Sequence, residues 1–148
     1  MKTALNTLLF LVACAATGTV CADIREAANT LYHAGSFKEA LEIYRHPEFS
    51  HDAAVQNRIG TIYLEPAFRN KKQSAQWFRK SAEQGNRYGQ FNLGQAYKNG
   101  TGVSRDYAKA MQYFHQSASQ GYAPAMNAIG ALYEEGKGVE KDEDNAIQ

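Results

Sequence analysis

The chain has 148 residues, 44% of them hydrophobic and 21% charged, which is the composition of one folded domain and not of a disordered or fibrous chain. Its 16 Lys and Arg against 15 Asp and Glu leave a formal net charge of +1. That balance lacks the positive excess of a nucleic-acid binder, and the local basic stretch Arg69 to Lys72 reads as a solvated helix start.

Residues 1–22, MKTALNTLLFLVACAATGTVCA, place one Lys beside the start, an apolar run from Leu8 to Ala16 and a small-residue end. That is the order of a secretory signal, and the apolar run is shorter than the roughly 20 residues that span a bilayer. Val20-Cys21-Ala22 predicts cleavage before Asp23. The expected mature chain is exported, periplasmic or secreted. It has no cysteine, and with Lys2 removed its formal net charge is zero. Leu11-Val12-Ala13-Cys14 supports an alternative, a lipobox with a lipid anchor on Cys14. It would make the signal short and leave Cys21 as a lone thiol in an oxidising compartment.

Residues 23–50 carry Ala27, Ala28 and Leu31, then Gly35-x-Phe37-x-x-Ala40-x-x-x-Tyr44, which predicts two helices around a glycine turn. His46 and His51 follow, with Asp52 adjacent. Zinc wants three or four converging ligands, and His33 and His115 lie in other units, so these residues read as exposed inter-repeat histidines and not as a metal site.

From residue 51 onward the chain repeats itself. Gly89 through Gln112 aligns without gaps to Ala125 through Gln148, so that Gly94, Tyr97, Gly100, Gly102, Val103, Asp106 and Ala110 recur as Gly130, Tyr133, Gly136, Gly138, Val139, Asp142 and Ala146. Ile59-Gly60-x-x-Tyr63, Trp77-Phe78 and Ala82-x-x-Gly85 stand one step earlier, although Leu64-Glu65-Pro66-Ala67-Phe68 replaces the glycine loop there. A period of this length means stacked helical pairs. The predicted units are 23–50, 51–86, 87–122 and a shortened 123–148. In units 51–86 and 87–122 a helix holding the Ile/Leu-Gly-x-x-Tyr pattern precedes one holding the aromatic pair. Recurrence with the period assigns Trp77, Phe78, Tyr97, Tyr113, Phe114 and Tyr133 to packing. Gly94 and Gly130 fall inside helices, at a cost of ~1 kcal/mol relative to alanine that close helix approach can justify. The last unit stops at Ala146-Ile147-Gln148, before its aromatic pair, so Leu132, Val139 and Ile147 are expected to be partly exposed and the last helix mobile.

The loop Gly100-x-Gly102-Val103 is not a phosphate cradle. A dinucleotide fingerprint needs a strand before it and a third glycine opening the helix, and here a helix precedes it. The glycines read as positive-φ positions in a tight connection, with Val103 tucked onto the helix pair. Asn99-Gly100-Thr101 is a formal glycosylation acceptor and, in a bacterial chain, an Asn-Gly turn.

Leu93-Gly94-x-x-Tyr97, Gly100-x-Gly102-Val103, Asp106, Lys109-Ala110-x-x-Tyr113-Phe114 and Ala118-x-x-Gly121 together resemble the Sel-1-like repeat, a relative of the tetratricopeptide repeat. The resemblance implies an all-α fold, a right-handed α-solenoid of helix pairs. It also implies a non-enzymatic scaffold or adaptor that binds a protein or peptide on its concave face. Some cysteine-rich relatives carry a β-lactamase label, which keeps hydrolysis as an alternative of another class. The chain has no Ser followed three residues later by Lys, and no zinc-protease, P-loop or nucleophile-elbow motif. No cofactor is expected. In tetratricopeptide-like units the first-helix positions two before, two after and five after the Leu face the groove. These map onto Phe91, Gln95 and Lys98, with Tyr88 one turn earlier, then Asn57 and Thr61, then Asn127, Ala131 and Glu134.

Overall fold

Four helix starts in this chain are capped by short polar side chains, Asp52, Asn70, Asn86 and Asp106. Asp52 Oδ1 accepts from the amides of Ala54 and Val55 at 2.8 and 3.0 Å, Asn86 Oδ1 from those of Tyr88 and Gly89 at 3.0 Å, and Asp106 Oδ1 from that of Lys109 at 3.0 Å. Each satisfies backbone donors that the first turn leaves without a partner. Helix ends close on left-handed glycines, as at Gly85, whose φ of +80° lets the amide of Asn86 reach back to the carbonyl of Ser81.

The computed structural model describes residues 18–138. It contains eight helices among them: α1 Gly18–His33, α2 Phe37–Tyr44, α3 Pro47–Ser50, α4 Ala53–Ile62, α5 Lys71–Glu83, α6 Arg87–Asn99, α7 Tyr107–Ala118 and α8 Ala123–Glu134. The chain divides into two compact units, the first ending at His51 and the second beginning at Asp52.

In the first unit α1 packs on α2. Ala28, Ala40 and Tyr44 are fully buried, and the Tyr44 hydroxyl donates to Asn29 Oδ1 at 2.8 Å. In the second unit each helix packs on the next from α4 to α8, and α4 also meets α6, so first helices of successive pairs adjoin. This is an α-solenoid arrangement. Its core gathers Phe78, Leu93, Tyr97, Met111, Phe114 and Leu132.

Two polar ties recur inside successive pairs. The buried Ser81 hydroxyl donates to the Ala53 carbonyl at 2.6 Å, and the buried Ser117 hydroxyl to the Arg87 carbonyl at 2.8 Å. Beside them Gln84 Nε2 donates to Gln56 Oε1, and Gln120 Nε2 to Gln90 Oε1, both at 2.7 Å. Each serine belongs to a second helix and fixes the start of its own first helix. Satisfied buried polar groups of this kind specify register.

The expected loop geometry is present. Gly100 and Gly102 have φ of +69° and +73°, and the half-buried Val103 packs on the core. The glycine-less connection of the second unit makes the same closure by other means. Arg69 adopts a φ of +42°, and the Asn70 amide reaches the Tyr63 carbonyl at 2.9 Å, as the Asp106 amide reaches that of Tyr97 at 2.9 Å.

Two expectations are corrected. Tyr133, assigned to packing by its recurrence, is 55% exposed on α8. Leu132 is fully buried, not partly exposed. It faces α7 within the core cluster, so its burial does not depend on a following helix. Val139 and Ile147, and the last helix expected to be mobile, lie outside the described residues, as does most of the 1–22 targeting segment.

Candidate functional site

The first helices α4, α6 and α8 carry every residue assigned above to the groove, and the structure sorts these residues into two groups. The first group is aromatic. Tyr88, 41% exposed, meets Tyr122 edge-on with centroids 5.2 Å apart, and Phe91 meets the same ring at 5.2 Å. Phe91 also contacts Phe114 at 5.7 Å, so it is half-buried and ties α6 to α7. Arg87 lies over the Tyr88 ring at 4.9 Å and donates to its hydroxyl at 2.9 Å. Beyond this cluster Met126 of α8 is half exposed.

The second group is amide-rich. Asn92 Nδ2 donates to Asn57 Oδ1 at 2.8 Å, bridging α6 to α4. Gln95 stands one turn further along α6. It lines a cavity of about 110 Å³ with Asn92, Asn99 and Thr101, against apolar walls from Leu64, Phe78 and Ala96. Ser74 completes the lining; it is fully buried, and its hydroxyl has no hydrogen-bond partner. Thr61 returns its hydroxyl to the Asn57 carbonyl at 3.1 Å.

Lys98 is half-buried at the end of α6. Its charge helps to hold the Glu135 carboxylate below its usual range, after the larger effect of Lys137, which donates to Glu135 at 2.8 Å. Asn127 and Glu134 are exposed on α8, and Ala131 is half-buried there. The structure therefore brings Tyr88 together with Phe91, and Asn57 with the Asn92 and Gln95 turn. Sequence reasoning missed Ser74, Asn92, Asn99 and Tyr122. The signal for Ser74 was legible: it stands where the next unit has Ala110.

Among the described residues no three His, Cys, Asp or Glu side chains converge as a metal site, and no helix is long and apolar enough to cross a membrane. His51 Nδ1 lies 3.0 Å from the Pro47 carbonyl oxygen, and the His46 ring lies 6.3 Å from that of Phe49.

A stack of capped helix pairs with polar ties and no clustered chemistry defines a helical repeat protein. The family model for the Sel1 repeat matches residues 53–86, 87–122 and 123–148, and the chain belongs to the Sel1 repeat family. Among solved structures it is similar to a Sel1 repeat protein from Oxalobacter formigenes, at 34% identity and a TM-score of 0.74, over 85% of this chain and 51% of that one. It is also similar to c5321, described as a protective antigen present in uropathogenic Escherichia coli strains and displaying an SLR fold. There the identity is 28% and the TM-score 0.75, over 90% of this chain and 29% of that one. The chain thus spans about half the length of the first relative and under a third of the second. No protein of curated function matches it. Sel1 repeat proteins generally mediate protein–protein interaction, as non-catalytic scaffolds.

Proposed function

We propose that the chain is an exported, non-catalytic adaptor that holds an extended peptide or a partner domain on the face built by α4, α6 and α8. The observation that carries this reading is the α6 surface itself. It presents the exposed Tyr88 beside Arg87, then the Asn92, Gln95 and Asn99 amides along one stripe. Aromatic and amide groups on a rigid helix supply contact area and main-chain hydrogen bonds at small entropic cost. Export rests on the targeting pattern of residues 1–22. The unit boundaries 23–50, 51–86, 87–122 and 123–148 belong to the same reading.

Replacing Tyr88, Gln95 and Lys98 together by Ala should weaken capture of crosslinked partners from envelope extract while helicity and melting stay nearly unchanged. Equal capture by parent and variant would move recognition to another surface. An intact mass of the exported chain beginning at Asp23 supports a soluble periplasmic or secreted product; an acylated Cys14 at the N-terminus would support an outer-membrane lipoprotein. A chromogenic β-lactam assay that shows turnover would overturn the scaffold reading in favour of hydrolysis.

A further inference from the structure

The cavity bounded by Leu64, Phe78 and Ala96 is lined in part by residues that the next unit does not repeat. The corresponding positions one unit later show what the bare repeat requires: Ser74 becomes Ala110, Asn92 becomes Ala128 and Gln95 becomes Ala131. At the same place Ala96 becomes Leu132, which is fully buried. The α4 to α6 junction has therefore exchanged alanines for a hydroxyl and two carboxamides, and it carries a small residue where a leucine fills space in the next unit. Asn92 serves the bridge to Asn57, but the Ser74 hydroxyl and the small Ala96 side chain do not improve packing. A cavity lowers stability, and a buried hydroxyl without a partner lowers it further. A buried polar group with no partner among the protein's own atoms calls for an explanation, and a bound ligand group or an ordered water supplies one.

The lining identifies the partner's chemistry. It contains no charged residue, so a carboxylate or ammonium entering it would be desolvated without a counter-charge. A wholly aliphatic group would leave Ser74 unsatisfied. The volume of about 110 Å³ is that of roughly three or four waters at ~30 Å³ each, which suits a short side chain.

We propose that this cavity is a side-chain subsite for an extended peptide, taking a short neutral residue that ends in a carboxamide or hydroxyl, Asn or Thr in size. The stem of that residue lies on Leu64, Phe78 and Ala96, and its polar end pairs with Ser74. Gln95, Asn99 and Thr101 at the rim bond the adjoining main chain. The inference rests on the peptide-binding reading above and names the residue class that it selects.

The test uses the full chain and five immobilised peptide pools, each random except for a central Asn, Thr, Val, Asp or Lys. Binding is read beside the side-chain amide NMR signals of Asn92, Gln95 and Asn99. The Asn and Thr pools should be retained at least about fivefold better than the others, with those amide signals shifting. Ser74→Ala should abolish the preference for Asn and Thr over Val without lowering the melting temperature. Binding of all five pools alike would overturn the subsite and leave the peptide reading standing. Preference for Asp or Lys, or shifts confined to α8, would do the same. Retention of none of the pools would overturn both. If the amide signals show ordered water that no pool displaces, the cavity is a hydration site and the subsite is wrong.

Discussion

Gly94 lies under the ring of Phe114 so closely that an added Cβ would stand 2.7 Å from Cδ1 and Cε1. Gly60 stands in the same relation to Phe78, at 2.6 Å, whereas Gly130 meets none of the described residues within 4 Å of the same point. The three glycines occupy equivalent positions, so the contact and not the helix decides their value. Gly94→Ala should lose about 1–3 kcal/mol from overpacking a fully buried ring, offset by ~1 kcal/mol of helix propensity. Gly130→Ala should be neutral or stabilising by up to about 1 kcal/mol. Urea melts of the two variants check this pair, and equal destabilisation would contradict it.

Tyr97 stacks on Tyr113 with centroids 5.8 Å apart and planes 4° from parallel, and its hydroxyl accepts from Arg79 Nη2 at 3.2 Å. Tyr97→Ala should cost roughly 3–5 kcal/mol, as removal of a large aromatic from a core does. Tyr97→Phe keeps the stack and should cost only about 1 kcal/mol. Denaturant midpoints of the two variants separate packing from the hydrogen bond.

Ser74→Ala removes the unsatisfied hydroxyl and puts in place the residue that the next unit uses. The free protein should gain about 1 kcal/mol or more, read as a rise in melting temperature. A loss of similar size would show that the hydroxyl is already bonded in the unliganded state.

Asp106 caps α7, and the Lys109 backbone amide, with its side chain second, holds the carboxyl below its ordinary value of 3.8. A depressed folded-state pKa contributes stability that is fully present above the unfolded value and is lost as pH falls through the folded one. Asp106→Asn keeps an acceptor but has no charge to lose. The melting temperatures of parent and Asn variant should therefore converge below about pH 4. The neighbouring Lys109–Asp106 pair at 3.4 Å is exposed and adds little at moderate salt.

The packing core was legible because it repeats. Leu93, Tyr97 and Phe114 sit at positions that the chain writes more than once and all three are buried, although recurrence alone does not bury a residue: Tyr133 repeats Tyr97 and is 55% exposed. The candidate site was only partly legible, because its residues break the period. Asn92, Asn99 and Ser74 differ from their counterparts in the next unit, so only their departure from the repeat, and no recurrence, could have marked them. Phe91 lies on α6 as expected, but its contact with Tyr122 depends on the turn that leads into α8. Leu132 was misread because the sequence stops soon after it, while the surface that buries it comes before it, on α7.

The second glycine of each loop has a directional consequence. At Gly102 a Cβ would collide with the carbonyl of Lys71, the first residue of α5, and at Gly138 it would stand 2.6 Å from the carbonyl of Tyr107, the first residue of α7. Every such loop thus rests on the second helix of the pair before it. The helix on which each loop lands precedes that loop in the chain, so synthesis delivers the landing surface before the loop that uses it. A residue inserted between Gly100 and Gly102 would break that landing, and a whole pair inserted before Arg87 would preserve it.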